Sequence, residues 1–301
     1  MWLESSDRQP QLLETKDIAV WTRPKARPDL TTRLRQSLQS LFGTAPAFNK
    51  SYAFLVGIGK YKHLPPLSSP SQDVDRMSVY LQQQGFDEVV AIKDDSVSED
   101  TFRQPEKYLK LKMGPDDRFL FYYSGHGMSV PAGARTRGYI PLVDEVAGGR
   151  TRSVPMDAVV EWLKSLNPQH LLVILDSCFS GLAIGGIEQK EVAATERKLD
   201  RAAFDALSQP PARYLLMAGN EHQVTFGGRQ WNGSLFTDTL LRGMRKDADL
   251  FHDGIVTTRG LYVYLQKTVP SEARKAGREL TPLMMDLNFK QVSRGEFIFV
   301  P

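Results

Sequence analysis

From residue 51 onward the chain alternates short apolar runs with amphipathic stretches. "YAFLVG" at 52–57, "EVVAIK" at 88–93, "RFLFYY" at 118–123, "HLLVILD" at 170–176 and "ARYLLM" at 212–217 are too short for helices and end in glycine or small polar residues, which predicts strands. Between the first two, "DVDRMSVYLQQQG" sets Val74, Met77 and Leu81 on one helical face before a terminating glycine. Helices are also expected over 98–113, near 155–166, near 234–246 and over 257–274, with "EFIFV" as a last strand. Strands that are apolar throughout and separated by helices predict an α/β fold, a mostly parallel sheet covered on both faces. Such sheets place their ligands beyond the carboxyl ends of the strands.

Two strands end there in unusual chemistry: "FLFYYSGHG" sets His126 between glycines, and "LLVILDSCFSG" sets the only cysteine, Cys178, just past its strand. A lone cysteine is ordinarily a small buried hydrophobe. Cys178 is instead flanked by Asp176, Ser177, Ser180 and Gly181 at the rim of the sheet. If the two strands are neighbours, an imidazole and a thiol meet in one cleft, where the imidazole takes the thiol proton and the thiolate is the nucleophile. Glycine on either side of His126 leaves room for a substrate backbone, and the backbone N–H groups of Gly127 and Cys178 are candidates for an oxyanion hole.

Residues 1–50 have a different texture. "WTRPKARPDLTTRLR" at 21–35 holds five basic residues, one acid and two prolines, which suggests a solvated extension or linker of unassigned role. The stretch 179–200, "FSGLAIGGIEQKEVAATERKLD", is glycine-rich and then highly charged, and is expected to be a long exposed loop; 124–154 is expected to be another, rich in Gly and Arg.

Composition narrows the class. An apolar fraction of 41% and a charged fraction of 24% are those of a soluble globular protein, and a net charge of +3 gives no argument for nucleic acid. One cysteine excludes an intrachain disulfide, "MWLESSDRQP" has no signal-peptide pattern, and "LLVIL" is too short to span a bilayer, so a cytoplasmic protein without a membrane partner is expected. The other histidines (63, 170, 222, 252) lack ligand spacing, so no metal is expected.

"YAFLVGIGKY", "FLFYYSGHG", "GYIPLVDE" and "LLVILDSCFSG", in that order, resemble the caspase-like cysteine peptidases, and among them the metacaspases and bacterial caspase-like proteins; "LLMAGNEHQ" and "GSLFTDTLLRGM" resemble the smaller downstream subunit of that group. His126 stands 52 residues before Cys178, close to the about 50 residues of caspases, although the caspase signature Q-A-C-[RQG]-G is absent. The resemblance covers 51–301 and implies a caspase-like α/β sandwich with a mostly parallel six-stranded sheet and helices on both faces. It divides the domain into a large-subunit part at 51–181, an interdomain loop at 182–200 and a small-subunit part at 201–301. It makes His126 the catalytic base and Cys178 the nucleophile, and sets self-cleavage in the loop, where Lys190, Arg197 and Lys198 are the candidate positions.

By the same resemblance Asp73, Ser124 and Asp176 line a P1 pocket for arginine or lysine, and two carboxylates around a small pocket suit a guanidinium or ammonium by charge-assisted hydrogen bonds. Simpler roles compete: Asp73 as a helix N-cap, Asp75 in its place, and Asp176 as a carboxylate that ties down its own loop. Trp231 is a candidate wall of a further subsite or a packing residue. No cofactor is required. Metacaspases are often calcium-stimulated, and the Asp pairs at 94–95 and 116–117 are candidate ion holders or plain surface turns. Expected partners are proteins or peptides with a basic P1 residue and an upstream activating protease or regulator, in a bacterial-type defence, signalling or cell-death pathway. The rival is a catalytically silent caspase-like adaptor, a class that normally lacks the histidine or the cysteine; both are present here.

Overall fold

In the computed structural model, which describes residues 11–12, 17–22, 48–103, 105–108, 113–132, 135–177, 206–219, 223–287 and 293–301, the apolar runs come together as one sheet. Its strands are β1 (Gln11–Leu12), β2 (Ile18–Thr22), β3 (Ser51–Gly57), β4 (Glu88–Lys93) and β5 (Arg118–Ser124). After β6 (Met128–Ala132), β7 (Arg135–Pro141) and β8 (Ser153–Pro155), which form a small sheet of their own, come β9 (His170–Asp176) and β10 (Ala212–Met217). Two short ribbon strands, β11 (Gly227–Gly228) and β12 (Gly233–Ser234), pair with each other, and the chain ends in β13 (Val256–Thr257), β14 (Leu283–Asp286) and β15 (Ile298–Phe299). The large sheet runs β1-β2-β4-β3-β5-β9-β10-β14. The five strands from β4 to β10 are parallel, while β14 pairs antiparallel with β10, β2 with β4 and β1 with β2.

Every residue of β3, β5 and β9 is buried, because the pleat sends alternate side chains into two separate cores. Leu55, Leu120, Tyr122, Leu172, Ile174 and Leu216 share one core with helices α1 (Pro70–Gln83), α4 (Leu235–Arg242) and α5 (Thr258–Lys275). Phe54, Val56, Phe119, Phe121, Tyr123 and Val173 share the other with α2 (Glu99–Arg103) and α3 (Met156–Ser165). Trp162 of α3 meets Phe119 and Phe121 edge-on, at centroid separations of 6.0 and 5.4 Å, and so fills the second core with the favoured aromatic geometry.

The mostly parallel sheet with helices on both faces is as expected, and the differences are local. The sheet has eight strands rather than six, because "IAVWT" at 18–22, inside the supposed linker, pairs with β4 and buries Val20, and β1 pairs with it in turn. The downstream strand on the sheet is β14, not "EFIFV": Ile298–Phe299 pairs with β13 away from it. Residues 98–113 are not one helix, since α2 stops at Arg103 and Pro105 opens a separate turn at Pro105–Lys107. A proline there lacks the N–H that a continuing helix needs. The stretch 124–154 carries β6 to β8 rather than irregular loop, and α4 passes at Gly243 into a π-helical turn ending at Asp247. Among the described residues no helix is long and apolar enough to cross a membrane.

Candidate active site

The carboxyl ends of the parallel strands form a level row. Gly57, Ser124 and Asp176 are register partners across β3, β5 and β9, and backbone bonds from Ile58 N to Ser124 O (3.0 Å) and from Gly125 N to Asp176 O (3.3 Å) extend the pairing past the strand ends. Position 126 therefore leaves the rim beside the strand whose next residues are Ser177 and Cys178. Cys178 itself lies outside the described residues, as do Lys190, Arg197 and Lys198.

His126 is half-buried, and its ring nitrogen Nε2 lies 2.8 Å from the carbonyl oxygen of Pro65. A carbonyl only accepts, so Nε2 carries the proton, and in the neutral ring the lone pair at Nδ1 is left to accept one. Pro65 belongs to the loop that follows β3, and Asp94 anchors the start of that loop. The buried carboxylate of Asp94 accepts from Gly59 N (2.9 Å) and Lys60 N (3.0 Å), and Lys60 Nζ lies 3.2 Å from it. Leu67 N closes the loop onto Gly59 O at 2.9 Å. Gly127 is half-buried between His126 and the start of β6.

The predicted pocket residues do converge. Alternation along β5 and β9 turns Ser124 and Asp176 to the face covered by α1 and α4, and Asp73, on the first turns of α1, meets them there. Asp73 and Asp176 are both buried and share Ser234: its backbone N–H donates to Asp73 (3.1 and 3.3 Å), and its hydroxyl donates to Asp176 Oδ2. Thr237 Oγ1 also donates to Asp176 Oδ2, at 2.7 Å. Since that hydroxyl has one hydrogen, Tyr122 must donate in its 2.7 Å contact with Thr237. Burial raises the carboxyl pKa of both aspartates, and the neighbouring Asp176 raises that of Asp73 further. Asp176 Oδ1 and Ser177 Oγ are buried without a hydrogen-bond partner among the described residues.

Asp73 is not the helix N-cap, a position held by Ser69 with Pro70 following. Asp75 faces outward and pairs with Lys93 at 2.8 Å. Trp231 is 9% exposed, stands edge-on to Phe226 at 5.4 Å, and borders a groove of about 520 Å³ between α4 and the end of α5. One carboxylate of each Asp pair is committed locally: Asp94 to its loop, and Asp117 to the N–H groups of Lys50 (3.0 Å) and Gly114 (2.7 Å). Among the described residues no cluster of three or more His, Cys, Asp or Glu could hold a metal ion.

Ser234 and Thr237 escaped the sequence, although "GSLF" ahead of an apolar run is a legible N-cap. Gly233 adopts φ +139°, and a Cβ there would collide with Asp73 Oδ1, so the glycine lets the start of α4 approach the carboxylates.

Comparison with known proteins accords with this geometry. The family model of the caspase domain matches residues 50–291. Metacaspase-1A of Aspergillus niger is 33% identical over 152 residues, which is 45% of this chain and 37% of the relative; metacaspase-1 of Emericella nidulans is 32% identical over the same shares. The aligned stretch thus spans little more than a third of the length of these metacaspases. A crystal structure of a Geobacter sulfurreducens protein shares the fold, with a TM-score of 0.51 and 20% identity over 79% of this chain and 93% of that one. The chain belongs to the caspase-domain family of cysteine peptidases.

Proposed function

We propose that the protein is a cysteine endopeptidase that cleaves after arginine or lysine, with His126 as base and Cys178 as nucleophile. The observation that carries this reading is the Gly57–Ser124–Asp176 row, which brings the strand ends bearing His126 and Cys178 to one rim over a buried acidic pair. In the reaction the Cys178 thiol gives its proton to Nδ1 of His126, and the thiolate attacks the scissile carbonyl. The oxyanion is held by the backbone N–H groups of Gly127 and Cys178. The imidazolium then protonates the leaving amine, and water activated by the neutral imidazole hydrolyses the thioester.

Basic specificity is supported by Asp176, whose Oδ2 takes two hydroxyl donors while Oδ1 has no partner among the described residues. A guanidinium or ammonium entering beside it supplies the missing donor and stabilises the ionised pair. The same reading makes Lys190, Arg197 and Lys198 self-processing positions, permits stimulation by calcium, and takes the chain as a cytoplasmic peptidase under an upstream regulator in a defence, signalling or cell-death pathway.

The test offers wild type and Cys178→Ala a panel of fluorogenic peptides differing only at P1. Wild type is expected to cleave those with Arg or Lys and not those with Asp or Ala, and Cys178→Ala none. Mass spectrometry of each protein alone reports self-processing. An unaffected Cys178→Ala protein refutes the peptidase assignment.

A further inference from the structure

We propose that Tyr61 and Tyr123 are positioning residues for the base, clamping the His126 peptide unit at its N–H and its carbonyl; this rests on the role of His126 proposed above. Tyr123 projects from β5 and Tyr61 from the loop after β3, and both are buried. The His126 N–H donates to the Tyr61 hydroxyl at 2.9 Å, and the Tyr123 hydroxyl donates to the His126 carbonyl at 2.7 Å. The Tyr61 hydroxyl thus accepts at one end of the His126 peptide unit and the Tyr123 hydroxyl donates at the other.

The Tyr61 ring also packs on the imidazole, at a centroid distance of 4.7 Å and a tilt of 45°. The backbone of His126 is thus held at both polar groups and its ring on one face, while Pro65 holds the far nitrogen. Burial raises the Tyr61 pKa, so it stays a neutral phenol throughout the range in which an imidazole titrates. The clamp also accounts for the residue before the histidine. A Cβ on Gly125 would lie 2.5 Å from the Tyr123 hydroxyl and 3.0 Å from that of Tyr61, so only glycine lets the two hydroxyls reach past to the next peptide.

Tyr61→Phe and Tyr123→Phe each remove one hydroxyl and keep the ring that packs. With a P1-Arg peptide, kcat is expected to fall about 10- to 100-fold with KM little changed, and the acid limb of the pH–rate profile to move. Tyr80→Phe is the control: it deletes a buried hydroxyl that donates to Met244 O at 2.8 Å on α1, so it should lower Tm and leave kcat alone. The deciding readout needs no activity. In Cys178→Ala protein, proton–nitrogen NMR of the His126 imidazole, assigned with His126→Gln, should show one neutral tautomer protonated at Nε2. Either phenylalanine variant should shift that signal towards a tautomer mixture. If the signal stays as in the parent in both variants, the proposal is overturned, whatever the rates do. If the signal shifts but the parent enzyme cleaves no peptide, the positioning role stands and the peptidase reading falls.

Discussion

At the scale of single residues, the acidic pair makes the proposed pocket sensitive to pH in a defined direction. Burial raises both carboxyl pKa values, so the empty pocket retains a proton at pH values where an exposed aspartate has lost it. A cation binds the ionised pair and expels that proton, so affinity rises with pH, by about tenfold per unit where one proton is released. Agmatine binding to Cys178→Ala protein, which lacks the reactive thiol, measures this by calorimetry; Asp176→Asn should bind weakly and flatten the dependence. Stability has the opposite sign. A carboxyl whose folded pKa exceeds its unfolded value contributes stability that is lost as pH rises from the ordinary carboxylate range through the raised value. The Tm of the empty protein should therefore decline over that window, and less steeply in Asp176→Asn. Gly125 gives a second prediction. Gly125→Ala should cost about 1–3 kcal/mol by overpacking, and Tyr123→Phe should offset part of that cost, because it removes the atom a Cβ would strike first. Urea unfolding of the two single variants and the double variant measures the coupling.

At the scale of elements, what the sequence disclosed depended on how local each signal was. β3, β5 and β9 were legible because strands buried on both faces leave unbroken apolar runs, and His126 and Cys178 because each follows such a run. Asp73 and Asp176 were findable by resemblance, but their partners Ser234 and Thr237 lie far along the chain and meet them only through tertiary packing. Tyr61 and Pro65 were hidden for the same reason, since a loop that folds onto Asp94 has no periodicity to betray it. β2 was missed because "IAVWT" is brief and sits beside a basic, proline-containing stretch that dominates any composition window. Its contribution is measurable. Val20 is fully buried between β4 and the second core, so Val20→Ala should cost about 2 kcal/mol in chemical denaturation. Deleting residues 1–22 should also bare the edge of β4 and promote association detectable by light scattering. A truncated protein as stable and monomeric as the full chain would make β2 an ornament of the sheet.

At the scale of the whole molecule, the segment 182–200 separates two parts that fold as one body. β9 and β10, on either side of it, are parallel neighbours over six register pairs from His170–Ala212 to Leu175–Met217. Around that seam, side chains cross between the parts at both ends of the sheet. At the rim Asp73 takes the Ser234 N–H, and Arg76 binds Asp238 at 2.6 Å together with the carbonyls of Trp231 and Asn232. At the opposite end the buried Arg118 donates to Ser51 Oγ and to Ile298 O, both at 2.7 Å, beneath the rings of Phe48, Phe86 and Phe297. The first core is continuous across the seam, with α1 from one part packed with α4 and α5 from the other. A peptide bond cut in the connecting segment removes none of these contacts; it adds only the entropy of two free chain ends and, on dissociation, of two molecules. Exposing a core of this extent costs far more than that gain. With a recognition site for a sequence-specific protease inserted between residues 182 and 200 of Cys178→Ala protein, cleavage should yield two fragments that co-elute at the mass of the intact chain and separate only in denaturant. Arg76→Ala and Arg118→Met should lower the denaturant concentration at which the cut pair parts. Fragments that separate in native buffer would show that the connecting segment, and not the shared sheet, holds the two parts together.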